Sequence, residues 1–99
     1  MYPLKFSPLA QDDLNDIWEF IAQDNPYAAT RLVDLVEQKC DLLAENPEIG
    51  RKRDDLAPEL RSFPVKSYVI YYRYRKKAIE VIRVLSSARD VESLFWGTH

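Results

Sequence analysis

A chain of 99 residues, 46% hydrophobic and 30% charged with a formal net charge of −2, is expected to form one globular domain, because so short a chain buries only roughly two-thirds of its unfolded surface. No stretch approaches the ~20 apolar residues that cross a bilayer, and Met1-Tyr2-Pro3-Leu4-Lys5 lacks the charged-then-apolar pattern of a secretory signal, so no membrane association and a cytoplasmic location are expected. One cysteine, Cys40, and one histidine, the terminal His99, exclude a disulfide framework, a structural zinc site and a Ser-His or Cys-His pair with an oriented base.

The small net charge conceals an asymmetry. Residues 1–50 carry Lys5, Arg31 and Lys39 against ten acids, a net of −7, whereas residues 51–99 carry eleven bases against six acids, a net of +5. Such a division steers a partner of matching sign to one side of the molecule.

Tyr2, Leu4 and Phe6 alternate with Pro3, Lys5 and Ser7, which predicts a short strand with one apolar face, near an edge because Pro3 has no ladder donor. Ser7-Pro8 reads as an N-cap followed by proline at the first helical position. The helix it opens runs to about Gln23 and buries Ala10, Leu14, Ile17, Trp18 and Ile21 at three- and four-residue spacing. Asp12, Asp13, Asp16 and Glu19 lie off that stripe and read as a solvated face, since no histidine is near to complete a metal site. Asn25-Pro26 repeats the punctuation and opens a second, antiparallel helix to about Glu45, with Ala29, Leu32, Val33, Val36, Cys40 and Leu43 as its buried stripe. Asn46-Pro47-Glu48-Ile49-Gly50 ends it, and a basic loop, Arg51-Lys52-Arg53, follows.

The second half is rich in branched and aromatic residues suited to a pleated sheet. Leu60 to Phe63 is one predicted strand, closed by Phe63-Pro64 and followed by the turn Val65-Lys66-Ser67. Tyr68 to Tyr74 and Ala78 to Leu85 form a hairpin about Arg75-Lys76-Lys77. Alternation sends Tyr68, Tyr72 and Tyr74 to one face and Tyr71 to the other. Ser86 to Asp90 is a polar loop or a helix start, after which Val91, Leu94 and Phe95 fit one short helical turn with Trp96 near its end. The order is β-α-α-β-β-β, an α+β fold with a two-helix hairpin packed on one face of a mainly antiparallel sheet. Few segments remain to cover the opposite face, so exposed Tyr, Val and Ile are expected there, and with them an obligate or near-obligate protein partner.

Arginines punctuate the strands at Arg61, Arg73, Arg75 and Arg83, with Arg89 just beyond. A guanidinium stays protonated near neutral pH, so such a cluster grips phosphates or carboxylates better than it moves protons. The tyrosines could stack bases, as aromatics on open sheets do, or pack as core. Gly50 and Gly97 are the only glycines, so there is no phosphate-cradling loop, and no cofactor is expected.

Several segments resemble a known family. Ser7-Pro8-x-Ala10-x-x-Asp13-Leu14-x-x-Ile17-Trp18, Asn25-Pro26-x-Ala28-Ala29, Pro47-x-x-Gly50-Arg51-x-Arg53, Leu60-Arg61-Ser62-Phe63-Pro64-Val65, Tyr68-Val69-Ile70-x-Tyr72-Arg73 and Val84-Leu85-x-x-Ala88-Arg89-Asp90 are similar, in this order, to the ParE toxins of the RelE/ParE superfamily. The resemblance implies the toxin of a bacterial type II toxin–antitoxin pair. It would inhibit DNA gyrase without catalysis of its own, be neutralised by a ParD-like antitoxin, and meet DNA only indirectly through that antitoxin. On this reading Arg61, Arg73, Arg83, Arg89, Leu94, Phe95 and Trp96 contact the target, and Tyr72, Tyr74, Arg51 and Arg53 contact the antitoxin. The superfamily also contains RelE-type ribosome-dependent ribonucleases. Those place an arginine after the Tyr68-like tyrosine and a tyrosine or histidine in the C-terminal segment, where this chain has Val69 and, at about the second place, Leu94 or Phe95. A valine cannot hold a scissile phosphate, nor leucine or phenylalanine exchange a proton. The ribonuclease is therefore the alternative, and a non-toxic antitoxin-binding repressor partner a third reading. A histidine and glycine, frequent in the ParE pattern, are replaced here by Ser86-Ser87.

Overall fold

The computed structural model describes residues 1–96, apart from the side chain of Trp96. Strand β1 (Leu4–Phe6) leads into helices α1 (Pro8–Ala22) and α2 (Pro26–Glu45), followed by strands β2 (Arg51–Lys52), β3 (Leu60–Val65), β4 (Tyr68–Arg75) and β5 (Ala78–Ser86) and helix α3 (Val91–Trp96). Both long helices begin as their capping residues dictate. Ser7 Oγ accepts the Ala10 N–H at 3.0 Å and Asn25 Oδ1 the Ala28 N–H at 3.1 Å, each satisfying an otherwise orphaned donor ahead of a proline at the helix start. Ser7 has a second task. Its N–H and hydroxyl donate to Val81 O and Ile82 O, which ties the start of α1 to β5.

The five strands form one sheet in the order β1-β5-β4-β3-β2, antiparallel except where β1 runs parallel to β5. The basic loop after α2 contributes an edge strand, β2, which the sequence did not predict because two exposed residues carry no alternation to read. Strand β1 is shorter than the alternation from Tyr2 suggests, whereas β3, β4 and β5 extend by one or two residues past their predicted ends. Arg75 and Val65 are paired, so the two tight turns reduce to Lys76-Lys77 and Lys66-Ser67. Lys66, Lys76 and Lys77 all have positive φ, and positive φ at both central residues of the β4–β5 connection is the signature of a type I′ turn.

On one side of the sheet Val65, Ile70, Tyr72, Ile79, Val81 and Val84 pack against Ala10, Leu14, Ile17, Val36, Cys40, Leu43 and Ala44 of the helices. Tyr68 and Tyr74 lie on the same side and Tyr71 on the other, as the alternation predicts. Trp18 departs from its predicted place in the core. It is 39% exposed on the flank of α1 and donates from Nε1 to Thr30 Oγ1 of α2 at 3.2 Å, because the narrower stripe of Ala10, Leu14 and Ile17 already fills the contact with the sheet.

The expectation of a bare opposite face is also corrected. There Leu56, Leu60, Tyr71 and Leu85 are buried in a second, smaller core with Ala57, Val69, Ile82, Val91, Leu94 and Phe95 around them. The segment between β2 and β3 folds back through Leu56, and α3 supplies the rest. The large exposed apolar side chains instead lie mainly on the helices, with Phe20 70% and Tyr27 82% exposed near the tip of the helical hairpin. Among the described residues no helix is long and apolar enough to cross a membrane.

Candidate functional site

The arginines expected to face a target divide into those that build the scaffold and those that do not. Arg83 stands beside a β-bulge. Tyr71 pairs with Arg83 but Tyr72 with Val81, so Ile82 is the extra residue on β5. The Arg83 guanidinium meets the Asp13 carboxylate of α1 in a two-pronged ion pair, Nε to Oδ2 at 2.8 Å and a terminal nitrogen to Oδ1 at 2.9 Å. Asp13 Oδ2 also accepts the buried Val84 N–H at 2.9 Å. The hydrogen bond to Asp13 holds Arg83 above even the usual arginine range. Asp13, expected on the solvated face, is therefore buried, and its spacing from Ala10, Leu14 and Ile17 puts it on their stripe. It thereby satisfies the Val84 N–H, a donor of β5 that lies beyond the residues paired with the short β1.

Arg61 and Tyr72 are cross-strand neighbours that grip the turn after α2. Arg61 donates from one terminal nitrogen to Glu48 O and Gly50 O at 3.0 and 2.8 Å. Tyr72 Oη donates to Pro47 O at 2.8 Å and accepts the Gly50 N–H at 2.9 Å. Gly50 is required by this approach, since a Cβ there would stand 2.8 Å from Tyr72 Cζ and closer to its hydroxyl. Tyr72 has no exposed surface. Its expected role as an antitoxin contact is thus corrected: it is a core residue whose hydroxyl anchors a loop.

The other expected site residues lie nearer the surface. Arg51 is exposed on β2. Arg53 makes a bidentate pair with Asp55 at 3.1 Å on both oxygens, and these hydrogen bonds hold the Asp55 carboxyl below its usual range. Arg53 also lies beside Tyr71, whose phenol is pushed up by burial and partly drawn back by the Arg53 charge. Tyr74 packs against Tyr2, ring centroids 5.1 Å apart. Arg73 donates from Nε to Pro58 O at 3.1 Å. Arg89 is exposed and borders a hollow with Asp16, Ile17, Phe20 and Tyr68. Leu94 and Phe95 are half-buried in the second core, where the Phe95 ring meets Tyr71 at 5.3 Å. Trp96 closes α3, but its side chain lies outside the described residues, as does His99.

The structure thus joins Phe95, Leu94, Tyr71 and Val69 on one sheet face with Arg53 at its border, and separates them from Arg61, Arg83 and Tyr72. Tyr71, Asp13 and Asp55 are participants that the expected target and antitoxin contacts did not include. Cys40 offers no nucleophile, because burial, then Asp41 and Glu37, push its thiol to about 12. Among the described residues no group of histidines, cysteines and acids is arranged to hold a metal. What the exposed groups can do is bind: an apolar patch carrying α3, bordered by guanidinium groups.

Comparison with known proteins agrees with this architecture. Residues 4–91 match the family described as the ParE toxin of the type II toxin–antitoxin system parDE. A toxin named RelE3 from Caulobacter vibrioides is 30% identical over 88% of this chain and 96% of its own length. Toxin ParE1 from Mycobacterium tuberculosis is 32% identical over 87% of this chain and 90% of its own length. A solved structure described as the chromosomal ParDE toxin–antitoxin system from P. aeruginosa superposes with a TM-score of 0.74, at 22% identity, over 87% of this chain and 96% of that one, and so shares its fold. The chain belongs to the ParE toxin family of type II toxin–antitoxin systems.

Proposed function

We propose that this toxin inhibits DNA gyrase through the margin formed by α3 and the loop before it, without bond chemistry of its own, and that a ParD-like antitoxin neutralises it. The observation that carries the reading is the composition of the sheet face under α3. Val69, Tyr71, Leu85, Leu94 and Phe95 pack together there, so the positions where a RelE-type ribonuclease presents a cation and a proton-transferring side chain hold packed apolar groups instead. Arg89, exposed ahead of α3, and Arg73 further along the face are the arginines of the target site; Trp96 belongs with them. Arg61 and Arg83 act on that site only by holding the sheet and its bulge in shape. For the antitoxin, Arg51, Arg53 and Tyr74 are the contacts. The ParDE assembly that shares this fold supports a partner of that kind.

A ribosome-dependent ribonuclease is the second reading, favoured by the relatives named RelE. It would draw on Arg53, Arg73 and Tyr71, a phenol on that face beside an arginine.

The test is supercoiling by purified gyrase with wild-type toxin and with Arg89→Glu and Arg73→Glu. Deleting the chain from Val91 is a poor substitute, since it uncovers Tyr71 and Leu85. Inhibition by the wild type, weakened at least about tenfold (about 1.4 kcal/mol of binding) by Arg89→Glu at unchanged circular dichroism, is expected. Full supercoiling at saturating wild-type toxin, or equal inhibition by both variants, contradicts the assignment.

A further inference from the structure

Lys5, Glu80, Arg73 and Leu60 are successive register partners across β1, β5, β4 and β3, so their side chains share the face opposite the helices. Arg75 follows on the same face of β4, and Lys76 opens the turn beyond it. Lys5, Arg73, Arg75 and Lys76 line one open hollow of about 290 Å³ together with Ala78, Ile79 and Glu80. Each guanidinium is steadied at Nε, Arg73 by Pro58 O at 3.1 Å and Arg75 by Glu59 Oε2 at 3.7 Å. Their terminal nitrogens make no hydrogen bond among the described residues. Glu80, between Lys5 and Arg73 in register, forms no ion pair among the described residues. It shares the hollow with four cations.

We propose that Lys5, Arg73, Arg75 and Lys76 form a shelf that binds the phosphodiester backbone of a nucleic acid directly. Two strand spacings separate Lys5 from Arg73, roughly 10 Å, and two residues along β4 separate Arg73 from Arg75, about 7 Å. Cations spread over such a shelf do not converge on one small anion. They match a repeating one, with guanidinium forks shaped for phosphate oxygens. Recognition is of the backbone and not of base sequence, because among the described residues the shelf has no accessible ring: Tyr71 is buried, and Tyr74 lies on the other side of the sheet. An acidic protein segment suits the shelf less well, since a protein interface centres on a desolvated apolar or aromatic anchor, and apart from Ala78 and the buried Ile79 the residues lining the hollow are all charged. Protection of a sheet edge explains Lys5 on β1 but not two arginines on β4, an internal strand. The proposal shares Arg73 with the gyrase reading but differs from it in the partner, since there DNA is reached only indirectly, and the shelf variant that tests it leaves Arg73 in place.

The test is fluorescence anisotropy of the full-length toxin with labelled mixed-sequence oligonucleotides, single-stranded and duplex, over a salt series. Both probes should bind whatever their sequence, with a log–log salt slope for the duplex of about −3 to −4, from about four phosphate contacts. The variant Lys5→Gln/Arg75→Gln/Lys76→Gln should bind at least about tenfold more weakly at low salt and lose about three units of slope. Arg31→Gln/Lys39→Gln/Lys66→Gln, equal in charge but away from the shelf, should bind as the wild type does. Failure of the wild type to bind at low salt, wild-type binding by the shelf variant, or an equal loss in the control would each overturn the proposal.

Discussion

Asp13 joins the helical layer to the sheet at a place where β5 would otherwise expose a backbone donor. Replacing it with alanine strands the Arg83 guanidinium and the Val84 N–H together. A half-removed buried pair costs more than a pair removed whole, so Asp13→Ala should cost about 3 kcal/mol or more, and Asp13→Ala/Arg83→Ala less than the sum of the two singles. Urea unfolding of the four proteins measures this coupling; additive losses would mean that the pair is not a structural unit. Gly50→Ala should cost about 1–3 kcal/mol through overpacking against Tyr72, and Tyr72→Phe should recover part of that loss by removing the closest atom. Tyr72 also sets a limit at high pH. Burial raises its phenol above the ordinary value of 10.0, although the Gly50 N–H opposes this. The neutral form is favoured in the folded state, so its contribution is whole below pH about 10 and is lost as pH rises through the raised folded value. Denaturant midpoints that do not fall between neutral pH and pH about 11 would contradict that sign. Asp13 was legible only as a motif member. An acid on an apolar stripe looks like an interruption until its partner, 70 residues later, is in view.

At the scale of elements, local chemistry made the helices readable. Ser7-Pro8 and Asn25-Pro26 carry both a cap and a first-turn proline, and α1 and α2 begin where these stand. The strands of the hairpin were readable from alternation, but their ends were not, because Arg75 and Val65 continue the pairing as turn-like residues. Lysines take the positive φ of the β4–β5 turn, at 51° and 58°, where asparagine and glycine are more at ease. Lys77→Gly should therefore stabilise the chain by about 1 kcal/mol, relieving the left-handed strain. An unchanged or lower urea midpoint would mean that Lys77 makes a compensating contact. Helix α3 was legible as a short turn, whereas its packing was not. Covering Tyr71 and Leu85 depends on Leu56 arriving from an irregular segment, and periodicity does not describe irregular segments.

For the whole molecule, the division of charge between the two halves of the sequence becomes a division between layers. The acidic helices lie on one side and most arginines on the strands and loops of the other, so an anionic partner is steered to the sheet side. The fold and family were legible because many weak motifs fall in one order over nearly the whole chain. The allocation of the arginines was only partly so, since residue type does not tell a guanidinium that clasps a loop, as Arg61 does, from one turned to solvent, as Arg89 is. Cells report directly on inhibition of gyrase. Pulse labelling of DNA and protein synthesis in bacteria, during the first minutes after induction of this chain without an antitoxin, separates the two targets. If the toxin acts on gyrase, DNA synthesis fails first while translation continues. Translation stopping first would contradict that reading and assign the arginines around Tyr71 to a ribonuclease.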